Sequence, residues 1–232
     1  MPSPIKLITV DLDDTLWPAQ AVLLRADRIF YAELEKHAPK LTSKLGQHEI
    51  RAQRLEYLKA HPELEHYISD WRKQSLLALL AEHGYATEAE QIAEQVFHTF
   101  WQARQRVTLF PYVSQVLTEL SQKYLIISIT NGNAHLDKMP LSQYVRHSLR
   151  AEQFGLSKPS PRLFEEALKL ANCNSEDVLH IGDHPLDDIE GARQLGIRTI
   201  QAQLLENNRD IHPDADAIMT DWRDAPELIA RL

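Results

Sequence analysis

Ile5–Val10 is a short, nearly continuous apolar run that ends directly in carboxylates. A run of this length without polar alternation reads as a strand buried on both faces, the kind found in parallel sheets covered by helices. Open sheets of that type bind ligands outside the C-terminal ends of their strands. The first strand therefore delivers Asp11 and Asp13 to the edge where chemistry is expected.

From about Leu16 to Arg106 the spacing turns helical, with no convincing strand. Ser69 is a candidate N-cap for a helix whose Trp71, Leu76, Leu79 and Leu80 share a face, and Gly84 sits where a left-handed C-terminal stop is expected. Thr87 and Glu90 have capping-box spacing ahead of Ile92, Val96 and Phe100. After Arg106 strand and helix alternate: a helix from Pro111, strand Leu125–Thr130, a helix with Ser160 as N-cap and Pro161 as first residue, and strand Val178–Gly182. A helix over about Leu186–Leu195, strand Arg198–Ala202 and a short strand near Ala217–Thr220 follow. This alternation predicts an α/β fold, a doubly wound, mainly parallel Rossmann-like sheet. The expected organisation is a core of residues 1–15 and 107–232, interrupted by a smaller helical domain, 16–106. Leu204–Pro213 is the most polar connection.

Composition narrows the class. Apolar residues make up 44% and charged residues 25%, enough for a real core. A net charge of −8 without a Lys/Arg cluster argues against a nucleic-acid partner. The single cysteine, Cys173, has no partner for a disulfide or a metal pair and reads as inert packing in a reducing compartment. The N-terminal apolar run is too short for a signal peptide, and no stretch approaches the roughly 20 apolar residues of a membrane span. A cytoplasmic protein is expected, with no membrane or protein partner.

Four stretches carry candidate chemistry. Asp11-Leu12-Asp13-Asp14-Thr15 lets two carboxylates turn towards one point, although a solvated acidic turn has the same pattern. Ile129-Thr130-Asn131-Gly132 ends a strand with a hydroxyl and backbone N–H groups, and Asn-Gly is by itself a turn signal. Lys158 precedes Pro159, where a lysine is ordinarily a solvated surface residue. Gly182-Asp183 is followed by Asp188 and Gly191-Ala192, and acids favour a helix N-terminus on electrostatic grounds alone. His180 and His184 lack any HExxH-like spacing, so neither is assigned to a metal, and His184 is a candidate substrate contact. The aromatics and arginines of the insert, Tyr67, Trp71, Arg72, Phe100, Trp101 and Arg104, read first as packing. Trp17 is a better candidate to face a cleft.

Taken in order, the four stretches resemble the motifs of the haloacid dehalogenase (HAD) superfamily: DxDxT, Thr-Asn-Gly, Lys-Pro, and GDxxxxD followed by Gly-Ala. The resemblance implies a phosphomonoester hydrolase working through an aspartyl phosphate, with the helical insert as a cap. It makes Asp11 the nucleophile, Asp13 the acid/base, Lys158 the charge-neutralising lysine, and Thr130 with Asn131 the phosphate ligands. Asp183 and Asp188 become the acidic metal-site motif. Mg²⁺ prefers a near-octahedral shell of hard oxygens, so its expected ligands are the Asp11 and Asp183 carboxylates and the Asp13 backbone carbonyl, with Asp188 supporting the shell. Thr15 is expected to shape the loop. Dehalogenases of the superfamily lack an acid two positions after the nucleophile, so Asp13 points to phosphoryl transfer. Asp11–Trp17, Val22–Lys36, Asp70-Trp71-Arg72 and Thr130–Asn133 further resemble a bacterial subgroup that dephosphorylates FMN and the riboflavin precursor 5-amino-6-(5-phospho-D-ribitylamino)uracil. The alternatives are a broad sugar-phosphate or nucleotide phosphatase, a phosphomutase, and a receiver-like phosphoacceptor switch. The insert and the GDxxxxD spacing oppose the last.

Overall fold

The N-terminal apolar run forms the strand Leu7–Val10 (β1), buried at all four positions, in a computed structural model that describes residues 4–207 and 209–232. It pairs in parallel with Leu125–Thr130 (β2) on one side and Val178–Gly182 (β4) on the other. His147–Arg150 (β3), Arg198–Ala202 (β5) and Ala217–Met219 (β6) complete the sheet. Among the described residues it has six strands, all parallel, in the order β3-β2-β1-β4-β5-β6. The order reverses direction between β1 and β4, and such a switch point opens a crevice at the C-terminal strand ends.

The chain divides into two compact units, residues up to Ala19 with Thr108–Leu232, and Gln20–Val107. In the sheet unit, Leu7, Ile127, Ile129 and Val178 pack with Leu163, Phe164 and Ala167 of the helix Arg162–Ala171. Cys173 packs at the margin of this cluster as a free thiol. In the other unit no strand occurs among the described residues. Its core joins Phe30 and Leu34 to Leu76, Leu79 and Leu80, and to Val96 and Phe100. Phe30 and Phe100 meet edge to face with centroids 6.2 Å apart. No described helix is long and apolar enough to cross a membrane.

Several local expectations are corrected. The helix Ile68–Leu80 starts before Ser69, with Tyr67 at the N-cap position, and Ala89–Arg104 starts behind Glu88; neither has a side-chain cap. Burial of their apolar faces outweighs capping, which contributes only about 1 kcal/mol. Gly84 does adopt φ +83, the left-handed conformation that suits glycine. Pro161 takes the N-cap position ahead of Arg162, while Ser160 Oγ accepts from the Arg162 N–H at 3.5 Å. The segment read as a helix from Leu186 is a wide π-type turn, Pro185–Glu190, running into Gly191–Arg193.

Candidate active site

The register of β1 against β4 sets Val10 opposite Ile181, so Asp11 and Asp183 leave adjacent strands at nearly one level. The Asp11 N–H still donates to the Ile181 carbonyl at 2.9 Å, which fixes the first residue beyond the strand. The chain then turns tightly: Asp14 adopts φ 61, a conformation that Asp tolerates, and its Oδ1 accepts from the Ala19 N–H at 2.8 Å. Thr15 Oγ1 lies 3.3 Å from Asp11 Oδ2 and 3.5 Å from Asp183 Oδ1, able to donate to either.

Lys158 is buried and is the centre of the cluster. Its Nζ donates to Asp11 Oδ1 at 2.7 Å, to the Ile129 carbonyl at 3.0 Å and to Asp188 Oδ1. Asn131 holds the lysine from behind. Its Oδ1 accepts from the Lys158 N–H at 2.8 Å and its Nδ2 donates to the Lys158 carbonyl at 3.0 Å. The side chain of Asn131, expected among the phosphate ligands, thus positions the Lys158 backbone, and its Nδ2 also lies 3.3 Å from Asp187 Oδ2. Thr130 is buried at the end of β2, where its Oγ1 accepts from the Gly132 N–H at 3.0 Å.

Asp188 is fully enclosed. Beyond Lys158, its Oδ1 lies 3.1 Å from His180 Nε2, and its Oδ2 accepts from the His184 N–H at 2.9 Å. Gly182 makes room for it: a Cβ at that position would lie 2.3 Å from the Asp188 carboxyl carbon. The His184 ring accepts from the Asp187 N–H at 3.0 Å, which caps the π-type turn.

Ligand oxygens of Asp11, Asp183 and Asp188 fall within 4.8 Å of one another. Like charges about 4 Å apart repel by about 4 kcal/mol even at an effective dielectric of 20. Burial, then Asp188 and Asp183, push the Asp11 pKa well above the carboxylate range despite Lys158. Burial and Asp188 push Asp183 up to about 6, although Arg209 Nε donates to its Oδ2 at 2.8 Å. Burial also acts to raise Asp188, but Lys158 and His180 outweigh it and hold that carboxyl well below its usual range. The cluster is short of positive charge at Asp11 and Asp183, and an all-oxygen donor set of this kind fits a hard divalent cation such as Mg²⁺.

Asp13 stands apart from this cluster of three. Its Oδ1 accepts from the Trp17 indole N–H at 2.9 Å, and Trp17 is fully buried. Trp17, expected to face a cleft, is instead wholly buried with its indole N–H turned to Asp13. Two further contributors, His180 and Arg209, were not assigned a part in the site from sequence. His180 resembled any strand residue. Arg209 comes from the polar connection, where no periodicity marks it.

Residues 5–196 match the family model described as haloacid dehalogenase-like hydrolase. The chain is 29% identical to the 5-amino-6-(5-phospho-D-ribitylamino)uracil phosphatase YigB of Escherichia coli (strain K12), over 94% of this chain and 88% of that protein. It is 28% identical to a phosphoserine phosphatase of Thermus thermophilus, over 84% and 88% of the two chains. Among solved structures, that of a 2-haloacid dehalogenase from Pseudomonas syringae pv. Tomato superposes with a TM-score of 0.90. It is 36% identical, with 98% of this chain and 99% of that chain covered.

Proposed function

Because the chain belongs to the haloacid dehalogenase-like hydrolase family, we propose that it is a Mg²⁺-dependent phosphatase that cleaves a small-molecule phosphomonoester through a phosphoaspartate on Asp11. The observation that carries this reading is Asp13, a carboxyl group two residues beyond the Lys158-clamped Asp11 and held by Trp17. An alkoxide leaving group needs a proton, and Asp13 is the acid at hand.

The Asp11 carboxylate attacks phosphorus while the ester P–O bond breaks, and Asp13 gives its proton to the departing oxygen. Asp13 then takes a proton from the water that attacks the phosphoaspartate, releasing phosphate and restoring both residues. Lys158 neutralises Asp11, and the Thr130 hydroxyl with neighbouring backbone N–H groups receives the phosphoryl oxygens. The Asp11 and Asp183 carboxylates and the Asp13 backbone carbonyl would hold Mg²⁺, which would supply the remaining charge neutralisation. Asp188, already bound by Lys158, His180 and the His184 N–H, supports that shell. The helical unit takes the role of a cap that selects the leaving group.

The name of the E. coli relative and the likeness in Asp11–Trp17 and Asp70–Arg72 support a flavin-pathway substrate, FMN or the ribityl-uracil phosphate. The test is phosphate release from these two compounds, sugar phosphates, phosphoserine and nucleotides, with Mg²⁺ and with EDTA, using Asp11→Asn as the blank. Mg²⁺-dependent release that favours the flavin-type pair is expected. Release from other phosphates alone would remove the substrate assignment and leave the mechanism.

The 36%-identical P. syringae structure favours a second reading, dehalogenation of a 2-halo acid. Halide release from 2-chloropropionate decides it: the Asp13 acid, which a halide leaving group does not need, argues for none. Halide release without phosphate release would reverse the proposal.

A further inference from the structure

The helical unit Gln20–Val107 contains a cavity of about 300 Å³ lined by Leu24, Asp27, Phe30, Tyr31, Ile50 and Arg54, with Arg51 and His48 also on its wall. Arg54 and Arg72 are both more than nine-tenths buried. They converge on a single oxygen of one carboxylate: Asp27 Oδ1 lies 3.6 Å from Arg54 Nη2 and 3.3 Å from Arg72 Nη1. The Nε of each has no hydrogen-bond partner among the described residues. Two guanidinium groups against one carboxylate leave positive charge under-matched, and buried guanidinium N–H groups left unpaired are costly. Burial and Arg54 accordingly pull the Arg72 pKa down to about 9 against the pull of Asp27. Aromatic faces cover part of the charge. Trp71 has the two guanidinium carbons 5.8 and 5.9 Å from its ring, and Phe100 has Arg72 at 4.3 Å.

We propose that this cavity is a binding site for a small ligand bearing an oxyanion on an apolar stem. The Arg54 fork matches the planar spacing of carboxylate or phosphate oxygens, and Arg51 and His48 add to the preference for an anion. Leu24, Phe30, Ile50 and the Tyr31 ring give the stem an apolar wall. The volume suits a molecule at the small end of ligand size. The site does not depend on the reaction assigned to the sheet unit.

Two indoles allow a test that separates the units. The Trp71 N–H donates to the Arg54 carbonyl at 2.8 Å, and the Trp17 N–H donates to Asp13. In ¹H–¹⁵N spectra of the full chain in EDTA, with Trp71 assigned through Trp71→Phe, benzoate and phenylphosphonate are titrated in turn. Saturable movement of the Trp71 signal is expected with at least one of them, and whichever acts at lower concentration identifies a carboxylate or a phosphate-type head. Arg54→Gln should weaken the response about tenfold, the equivalent of one charge-assisted hydrogen bond. Leu24→Trp, a change at a half-exposed wall residue that leaves every charge in place, should abolish it. A Trp71 signal unmoved by both probes up to millimolar concentration overturns the proposal, as does a response that survives Leu24→Trp; movement of Trp17 alone assigns both probes to the sheet unit and also overturns it.

Discussion

His180 Nε2 lies 3.1 Å from Asp188 Oδ1, and both residues are buried. A carboxylate only accepts, so Nε2 carries the proton, and His180 Nδ1 accepts from the Thr9 hydroxyl at 2.9 Å. The ring braces the carboxylate that in turn holds Lys158. Replacing His180 with Phe leaves Asp188 one donor short and should cost about 1–3 kcal/mol in urea unfolding, together with a fall in turnover. Burial lowers the His180 pKa, so the folded protein refuses a proton that the unfolded chain accepts near pH 6.5. Stability should therefore fall as pH drops below about 6.5, by a slope smaller in His180→Phe than in the parent. Parallel slopes in the two proteins would mean that His180 is charged in the fold.

Gly182→Ala places a methyl group 2.3 Å from the Asp188 carboxyl carbon and 2.5 Å from its Oδ2. Asp188 must swing away from Lys158 to admit it. The expected result is a loss of about 1–3 kcal/mol, typical of overpacking, with phosphate release reduced more sharply than stability. A variant with parental activity would show that Asp188 is dispensable where it stands.

Metal removal exposes a second pH effect. In EDTA, Asp183 has a folded pKa of about 6, above its unfolded value near 3.9, so the folded state holds the extra proton between the two. That contribution is present at low pH and lost as pH rises through about 6. Asp183→Asn should thus be more stable than the parent at pH 7 in EDTA, and Mg²⁺ should stabilise only the parent. Urea midpoints at pH 4.5 and pH 7, with and without Mg²⁺, test both statements.

Trp17→Phe removes the 2.9 Å donor to Asp13 while keeping most of the buried ring. A drop of about tenfold in kcat with little change in KM is expected, the scale of one lost hydrogen bond to a charged group. Asp13→Asn should cost about 10²–10⁴, and adding Trp17→Phe to it should cost nothing further. Full additivity would place Trp17 in a role unrelated to Asp13.

β1, β2 and β4, each paired on both sides, were legible as continuous or nearly continuous apolar runs because neighbours and helices cover them, whereas β5 and the edge strand β6 were placed by the alternation of strand and helix. His147–Arg150 escaped notice because it is an edge strand with one fully buried residue, and HSLR carries no apolar run. Helix starts at Ser69 and Thr87 were misplaced for a related reason, since packing of Leu76, Leu79, Ile92 and Val96 decides those boundaries. Asp11, Lys158, Asp183 and Asp188 were visible because strand ends and motif spacing mark them. The bracing by His180, Asn131 and Arg209 was not, because it depends on side chains meeting across the fold, and local sequence holds no record of such meetings.

The position of β1 in the sheet has a consequence during synthesis. Leu7 pairs with Leu125 on one side and with Val178 on the other, so β1 is made before both of its neighbours and its pairing is completed late. Gln20–Val107 can bury its own core while the chain is still being translated, whereas β1 must wait through all of it for each neighbour. A nascent chain halted before Val178 would carry a finished helical unit and an apolar strand with one edge open, the form in which this protein is most exposed to pairing with other chains.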